Sequence, residues 1–91
     1  MYIVVSYDVV SDRRRAEVAK VLEDTGRRVQ KSVFECRIDE RALLRLRKRL
    51  AEAIDQSEDS VRFYRLCQRC VTSLEVLGQG TLTADEDVIV V

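Results

Sequence analysis

Residues 2–10 read Tyr-Ile-Val-Val-Ser-Tyr-Asp-Val-Val, a run that is apolar and β-branched on both faces of an extended chain. Successive side chains of a strand point to opposite sides of its sheet. A strand with almost no wet side belongs in the middle of a sheet, covered on both faces. Asp8 breaks the run near its end, and Arg13-Arg14-Arg15 begins five residues later. A carboxylate at the end of a buried strand, close to guanidinium groups, has two physical readings. It is an ion-paired turn residue, satisfied by turn N–H groups or by Arg15, or it holds a metal ion beside a phosphate backbone.

The remaining elements follow from spacing. Ser11 is placed to cap a helix, with Asp12 favourable in its first turn. Ala16, Val18, Ala19, Val21 and Leu22 give that helix an apolar stripe. Gly26 stands where a left-handed terminator would end it. Residues 27–38 are strand-like, with Val29, Lys31, Val33, Glu35 and Arg37 on one face and Gln30, Ser32, Phe34, Cys36 and Ile38 on the other. The stretch is long for one strand. It is either one strand or two joined by a kink, and no Gly or Pro marks the break. Asp39 caps a second helix over about 40–56, with Leu43, Leu46, Leu50 and Ile54 as its buried stripe, helped by Ala51, and Arg41, Arg45, Lys48, Arg49 and Glu52 in water. A polar loop at 56–60 leads to a strand over 60–67, and a further short strand is predicted over 72–77. The tail Val88-Ile89-Val90-Val91 is β-prone.

This order predicts an α+β fold, a ferredoxin-like βαββαβ sandwich with an additional C-terminal strand. Both helices would lie on one face of an antiparallel sheet. The other face, offering Val, Tyr and Phe side chains, would be bare, and a bare apolar face of that size marks an interface. The chain reads as a single domain over 1–91, with a core of about 1–78. The tail 79–91 is free to pair with a partner chain, which makes a homodimer the expected assembly. Ninety-one residues bury only about 60–65% of their unfolded surface, so a second copy would supplement a modest core.

Composition narrows the chemistry. No apolar run approaches the ~18–20 residues of a membrane span, and Met1 leads directly into a strand, so a soluble, cytoplasmic protein without membrane partners is expected. There is no histidine, which removes the usual neutral-pH general base. Cys36, Cys67 and Cys70 read as free thiols. Cys67-Gln68-Arg69-Cys70 has metal-knuckle spacing, but three thiols without histidine fall short of the four ligands of tetrahedral zinc. The 16 basic and 16 acidic residues balance overall, yet residues 1–70 carry a net +4 and residues 71–91 a net −4. Thirteen of the basic residues are arginine, suited to phosphate or carboxylate. These are either solvated helix faces with ion pairs or a phosphate-binding surface with an acidic tail.

Several segments are more specific. Met-Tyr-Ile-Val-Val-Ser-Tyr-Asp-Val (1–9) is followed by Arg13-Arg14-Arg15 and Val18-Ala19-Lys20-Val21-Leu22. Then come Gly26-Arg27-Arg28-Val29-Gln30-Lys31-Ser32-Val33-Phe34-Glu35-Cys36, Arg62-Phe63-Tyr64 and Leu77-Gly78. In this order and spacing the chain resembles the "Cas-two" family, the CRISPR-associated endoribonucleases of spacer acquisition. The resemblance is weakest after residue 80, and Glu17 stands where relatives often carry a base.

The resemblance implies a ferredoxin-like homodimer with Asp8 as the metal-binding and catalytic residue, its two copies facing each other across the dimer axis. It also implies Mg²⁺, with Mn²⁺ as a substitute, cleavage of RNA or DNA, and a partner in the CRISPR integrase subunit. Mg²⁺ needs only one or two carboxylates besides waters and phosphate oxygens, which one Asp8 per chain supplies. Arg14, Arg15, Arg28 and Lys31 are the candidates for nucleic-acid contacts. Tyr7, Ser32 and Phe34 are secondary candidates: Ser32 is a strand-packing hydroxyl or a nucleophile without a base, and Phe34 a hydrophobic contact in the sheet or dimer or a base-stacking ring. Two other functions fit the same pattern, a DNA-binding bridge without catalysis and a stand-alone RNA-cleaving toxin of similar shape.

Overall fold

The computed structural model describes residues 1–80. The elements are β1 (Tyr2–Asp8), α1 (Asp12–Glu23), β2 (Arg27–Gln30), β3 (Val33–Arg37), α2 (Glu40–Ala53), β4 (Ser60–Leu66) and α3 (Gln68–Thr72). The sheet runs β2-β3-β1-β4, and every pairing in it is antiparallel. This is the ferredoxin-like order. As its sequence requires, β1 is central, with Val5 opposite Phe34 on one side and Phe63 on the other.

Register sorts the side chains. Ile3, Val5 and Tyr7 of β1 share a face with Phe34 and Cys36 of β3 and with Val61 and Phe63 of β4. On this face lie α1, through Val18, Ala19, Val21 and Leu22, and α2, through Leu43, Leu46 and Leu50. Cations close the rim of this core. Arg28 lies 5.2 Å from the centre of the Phe34 ring, and Arg47 lies 5.6 Å from that of Phe63. Both expected caps are formed: the Ser11 hydroxyl accepts from Arg14 N–H at 3.3 Å, and the Asp39 carboxylate from Ala42 N–H at 2.8 Å. Ala16 and Ala51, counted in the stripes, are exposed.

Four expectations need correction. The 27–38 stretch is two strands, but they form a hairpin turning at Lys31-Ser32 rather than meeting at a kink, with a register shift between Arg28 and Gln30. The shift leaves Val29 as the extra residue of a bulge. Gly26 does not have a positive φ. A Cβ there would collide with the Cys36 sulfur and the Glu35 carbonyl oxygen, so glycine is needed because β3 passes against the end of α1. The second helix stops at Ala53, where Ile54 is already extended.

The strand expected over 72–77 is absent. In its place α3 turns Val71 down onto Tyr2, with Val4, Leu66 and Leu74 beside them. Once Val71 has to meet Tyr2, one helical turn serves better than an extension of β4. The sheet face opposite α1 and α2 is therefore partly covered at its Tyr2 end. Residues 81–91, including the β-prone tail, lie outside the described residues. Among the described residues no helix is long and apolar enough to cross a membrane.

Candidate nucleic-acid and metal site on the open sheet face

Asp8 is the last residue of β1 and alternates with buried Tyr7, so its side chain points to the face opposite α1 and α2. Tyr2, Val4 and Ser6 share that face, and α3 covers only the Tyr2 end of this row. The Asp8 side chain is exposed and makes no hydrogen bond or ion pair among the described residues. Across the ladder it faces Ser60. Its diagonal neighbour on β4 is Arg62, whose guanidinium donates to the Tyr64 hydroxyl at 3.4 Å. The ion-paired turn reading of Asp8 does not match this geometry.

The guanidinium groups that follow β1 do not converge on Asp8. Arg14 is spent on the loop before β4: its Nε donates to Asp59 at 2.8 Å and its Nη2 to Asp59 at 3.2 Å and to Glu58 at 3.0 Å. The Asp59 side chain is fully buried. It also accepts from Val10 N–H at 2.9 Å and from Asp55 N–H at 2.8 Å. Arg14, followed by these two N–H groups, holds the Asp59 carboxyl far below its ordinary range. Asp59 in turn raises the Arg14 guanidinium. Arg15 is committed to the backbone, donating to the Val9 carbonyl at 2.9 and 3.2 Å, to the Val10 carbonyl at 3.2 Å and to Asp12 at 2.6 Å. Arg14 thus clamps two loops together, and Arg15 fixes the chain leaving Asp8.

The other candidates fall into two groups. Tyr7 and Phe34 are core residues, with ring centres 6.3 Å apart, and are too buried to stack a nucleobase. The Tyr7 hydroxyl donates to the Lys31 carbonyl at 3.4 Å, and the Tyr7 N–H donates to the Ser32 carbonyl at 3.1 Å. These bonds attach the hairpin turn to β1. Arg28 and Lys31 are exposed on that hairpin, on the far side of β3 from β4. Arg28 pairs with Phe34 and lies over its ring, on the helix-bearing face rather than that of Asp8. Arg62 of β4 shares the Asp8 face, and Lys31 is exposed at the hairpin turn. Sequence reasoning does not single out Arg62 as a phosphate contact. Its signal was the β4 alternation that sets it opposite Phe63, which became decisive only once the pairing with β1 was known.

Among the described residues no group of three or more His, Cys, Asp or Glu side chains is gathered as a metal site. A single exposed carboxylate without a competing cation fits an ion that takes most of its ligands from water and phosphate.

The model of the family described as CRISPR associated protein Cas2 matches residues 1–73. The chain belongs to this family. The CRISPR-associated endoribonuclease Cas2 1 of Chloroflexus aurantiacus is 43% identical over 81 residues, covering 88% of this chain and 87% of the relative. The crystal structure of Streptococcus pyogenes Cas2 superposes with a TM-score of 0.77 at 38% identity, covering 86% of this chain and 100% of that one. A chain of a partial Cas6-RT-Cas1–Cas2 complex gives a TM-score of 0.72 at 31% identity, covering 84% and 89% of the two chains. Cas2 membership is thus carried by sequence and fold together.

Proposed function

We propose that the chain is a CRISPR adaptation protein that binds nucleic acid and cleaves phosphodiester bonds at Asp8 with a divalent metal ion. The observation that carries this reading is the position of Asp8, exposed and without a partner among the described residues on an otherwise well-paired strand end. A carboxylate fixed there by Arg15 and by the Asp59 clamp keeps its oxygen ligands available. Asp8 of two copies in a homodimer would hold Mg²⁺, or Mn²⁺ in its place. Bound there, the ion would supply an acidified water and neutralise charge on a phosphate, the help a histidine-free site requires. Arg62, which shares the Asp8 face, and Lys31 at the hairpin turn would hold the phosphate backbone. The name of the Chloroflexus relative as an endoribonuclease supports this activity.

The test is cleavage of single-stranded RNA and duplex DNA with Mg²⁺, Mn²⁺ or a chelator. Cleavage should stop with the chelator and fall at least ~100-fold in Asp8→Asn, a loss typical of removing an essential catalytic group, while the dimer mass is unchanged. Equal cleavage by Asp8→Asn at unchanged purity would overturn the assignment.

A second reading is a bridge that holds DNA for an integrase without cutting it. The likeness to a chain of a complex that contains Cas1 favours it. In this reading Cas1 is the partner, the tail 79–91 docks on a partner chain and the work is cytoplasmic. Spacer integration by Asp8→Asn together with Cas1, at the native rate, would select this reading. Loss of integration would reject it.

A further inference from the structure

Cys67 and Cys70 lie apart from the Asp8 end of the sheet. Cys67 is the extended residue between β4 and α3, and Cys70 lies one turn later within α3. Both are exposed, and their sulfurs are 3.4 Å apart. A disulfide requires about 2.0 Å, a difference within reach of side-chain rotation. The third thiol is different in kind: Cys36 is sealed in the core, where burial pushes it up to about 11. It provides an unreactive internal reference.

The two exposed sulfurs are not equivalent. The backbone N–H of Cys70 is the first cause that lowers Cys67 below the ordinary thiol range, followed by the contact between the two sulfurs. Cys70 is raised, first by its contact with the Cys67 sulfur. The thiolate is the nucleophile in exchange, so Cys67 is the attacking sulfur and Cys70 the resolving one. Cys67 also opens onto a groove of about 440 Å³ that Arg37 and Arg65 line. Arg65 is already ion-paired with Glu40 at 2.7 Å, so the groove offers room for a small disulfide beside Cys67 rather than free charge.

We propose that Cys67 and Cys70 are a reversible dithiol–disulfide site that reacts with low-molecular-weight disulfides of the glutathione class. The Cys67 thiolate attacks one sulfur of the small disulfide. That S–S bond breaks, and one small thiolate leaves and takes up a proton. Cys70 then gives up its proton, its sulfur attacks Cys67 Sγ, and the mixed S–S bond breaks. The second small thiol leaves with that proton. The protein loses two electrons and two protons, and the small disulfide becomes two thiols. The closed ring ties the first turn of α3 to the end of β4, beneath the Val71–Tyr2 contact that covers one end of the open face.

The full chain is equilibrated over a series of reduced-to-oxidised glutathione ratios, alkylated without unfolding and weighed. The expected product is an intramolecular disulfide two hydrogens lighter, with two alkylatable thiols lost and both restored by a reductant. Cys70→Ser should stall as a glutathione adduct, whereas Cys67→Ser should react at least tenfold more slowly. Three results would overturn the proposal: only disulfides between chains, equal reactivity of the two serine variants, or zinc co-purifying at one ion per two chains and shielding both sulfurs.

Discussion

Asp59 carries four hydrogen bonds from three different segments, two from Arg14 and one each from Val10 and Asp55. A buried carboxylate that lost them would keep its cost of burial without compensation. Its folded titration lies far below the 3.8 of an ordinary aspartate, because Arg14 and the N–H groups favour the ionised form. The sign follows by linkage. The contribution of Asp59 is full above the unfolded value of about 3.9 and is lost as pH falls through and below it. The Tm of the native chain is expected to drop more steeply between about pH 4 and pH 2 than that of Asp59→Asn. Equal slopes in the two melting series would contradict this. Gly26→Ala is expected to cost about 1–3 kcal/mol of stability, as inserting a methyl into a packed site does, because the Glu35 carbonyl it meets is backbone. Chemical denaturation with unchanged slope is the check.

On α2, exposure divides the leucines. Leu43, Leu46 and Leu50 are buried, whereas Leu44 is 62% exposed. Leu46→Ala should therefore destabilise by about 2–5 kcal/mol, and Leu44→Ala by no more than about 0.5 kcal/mol, measured as urea midpoints. The stripe was legible because helix periodicity is local. So were β1, both helix caps and β4, which rest on alternation or on single capping residues. The hairpin break at Lys31-Ser32 was not legible, because it depends on a bulge and on β1 binding the turn through Tyr7 rather than on Gly or Pro. The helix α3 was missed for a related reason: Val71-Thr72 has strand propensity, but the burial of Val71 on Tyr2 decides its conformation. At the site, Asp8 could be read from the end of a strand. The commitment of Arg14 to a residue 45 positions away could not be read locally.

Electrostatics at the scale of the molecule is a matter of distribution, since the net charge is zero. Any attraction for nucleic acid must come from a basic surface on residues 1–70, opposed by Asp85, Glu86 and Asp87 of the tail. Neutralising those three acids as amides should tighten duplex DNA binding at low salt and steepen its salt dependence. An unchanged salt titration would show that the tail charges do not bear on the DNA. The position of β1 has a different kind of consequence. The first strand to be synthesised is central, and its second neighbour, β4, lies beyond residue 59. A chain emerging from the ribosome thus carries Tyr2–Tyr7 with one hydrogen-bonding edge open until most of the domain has been translated. Such an edge is adhesive. Synthesis of this protein should accordingly be most prone to aggregation before the seventh decade of residues has emerged, a hazard that fast translation through α2 would shorten.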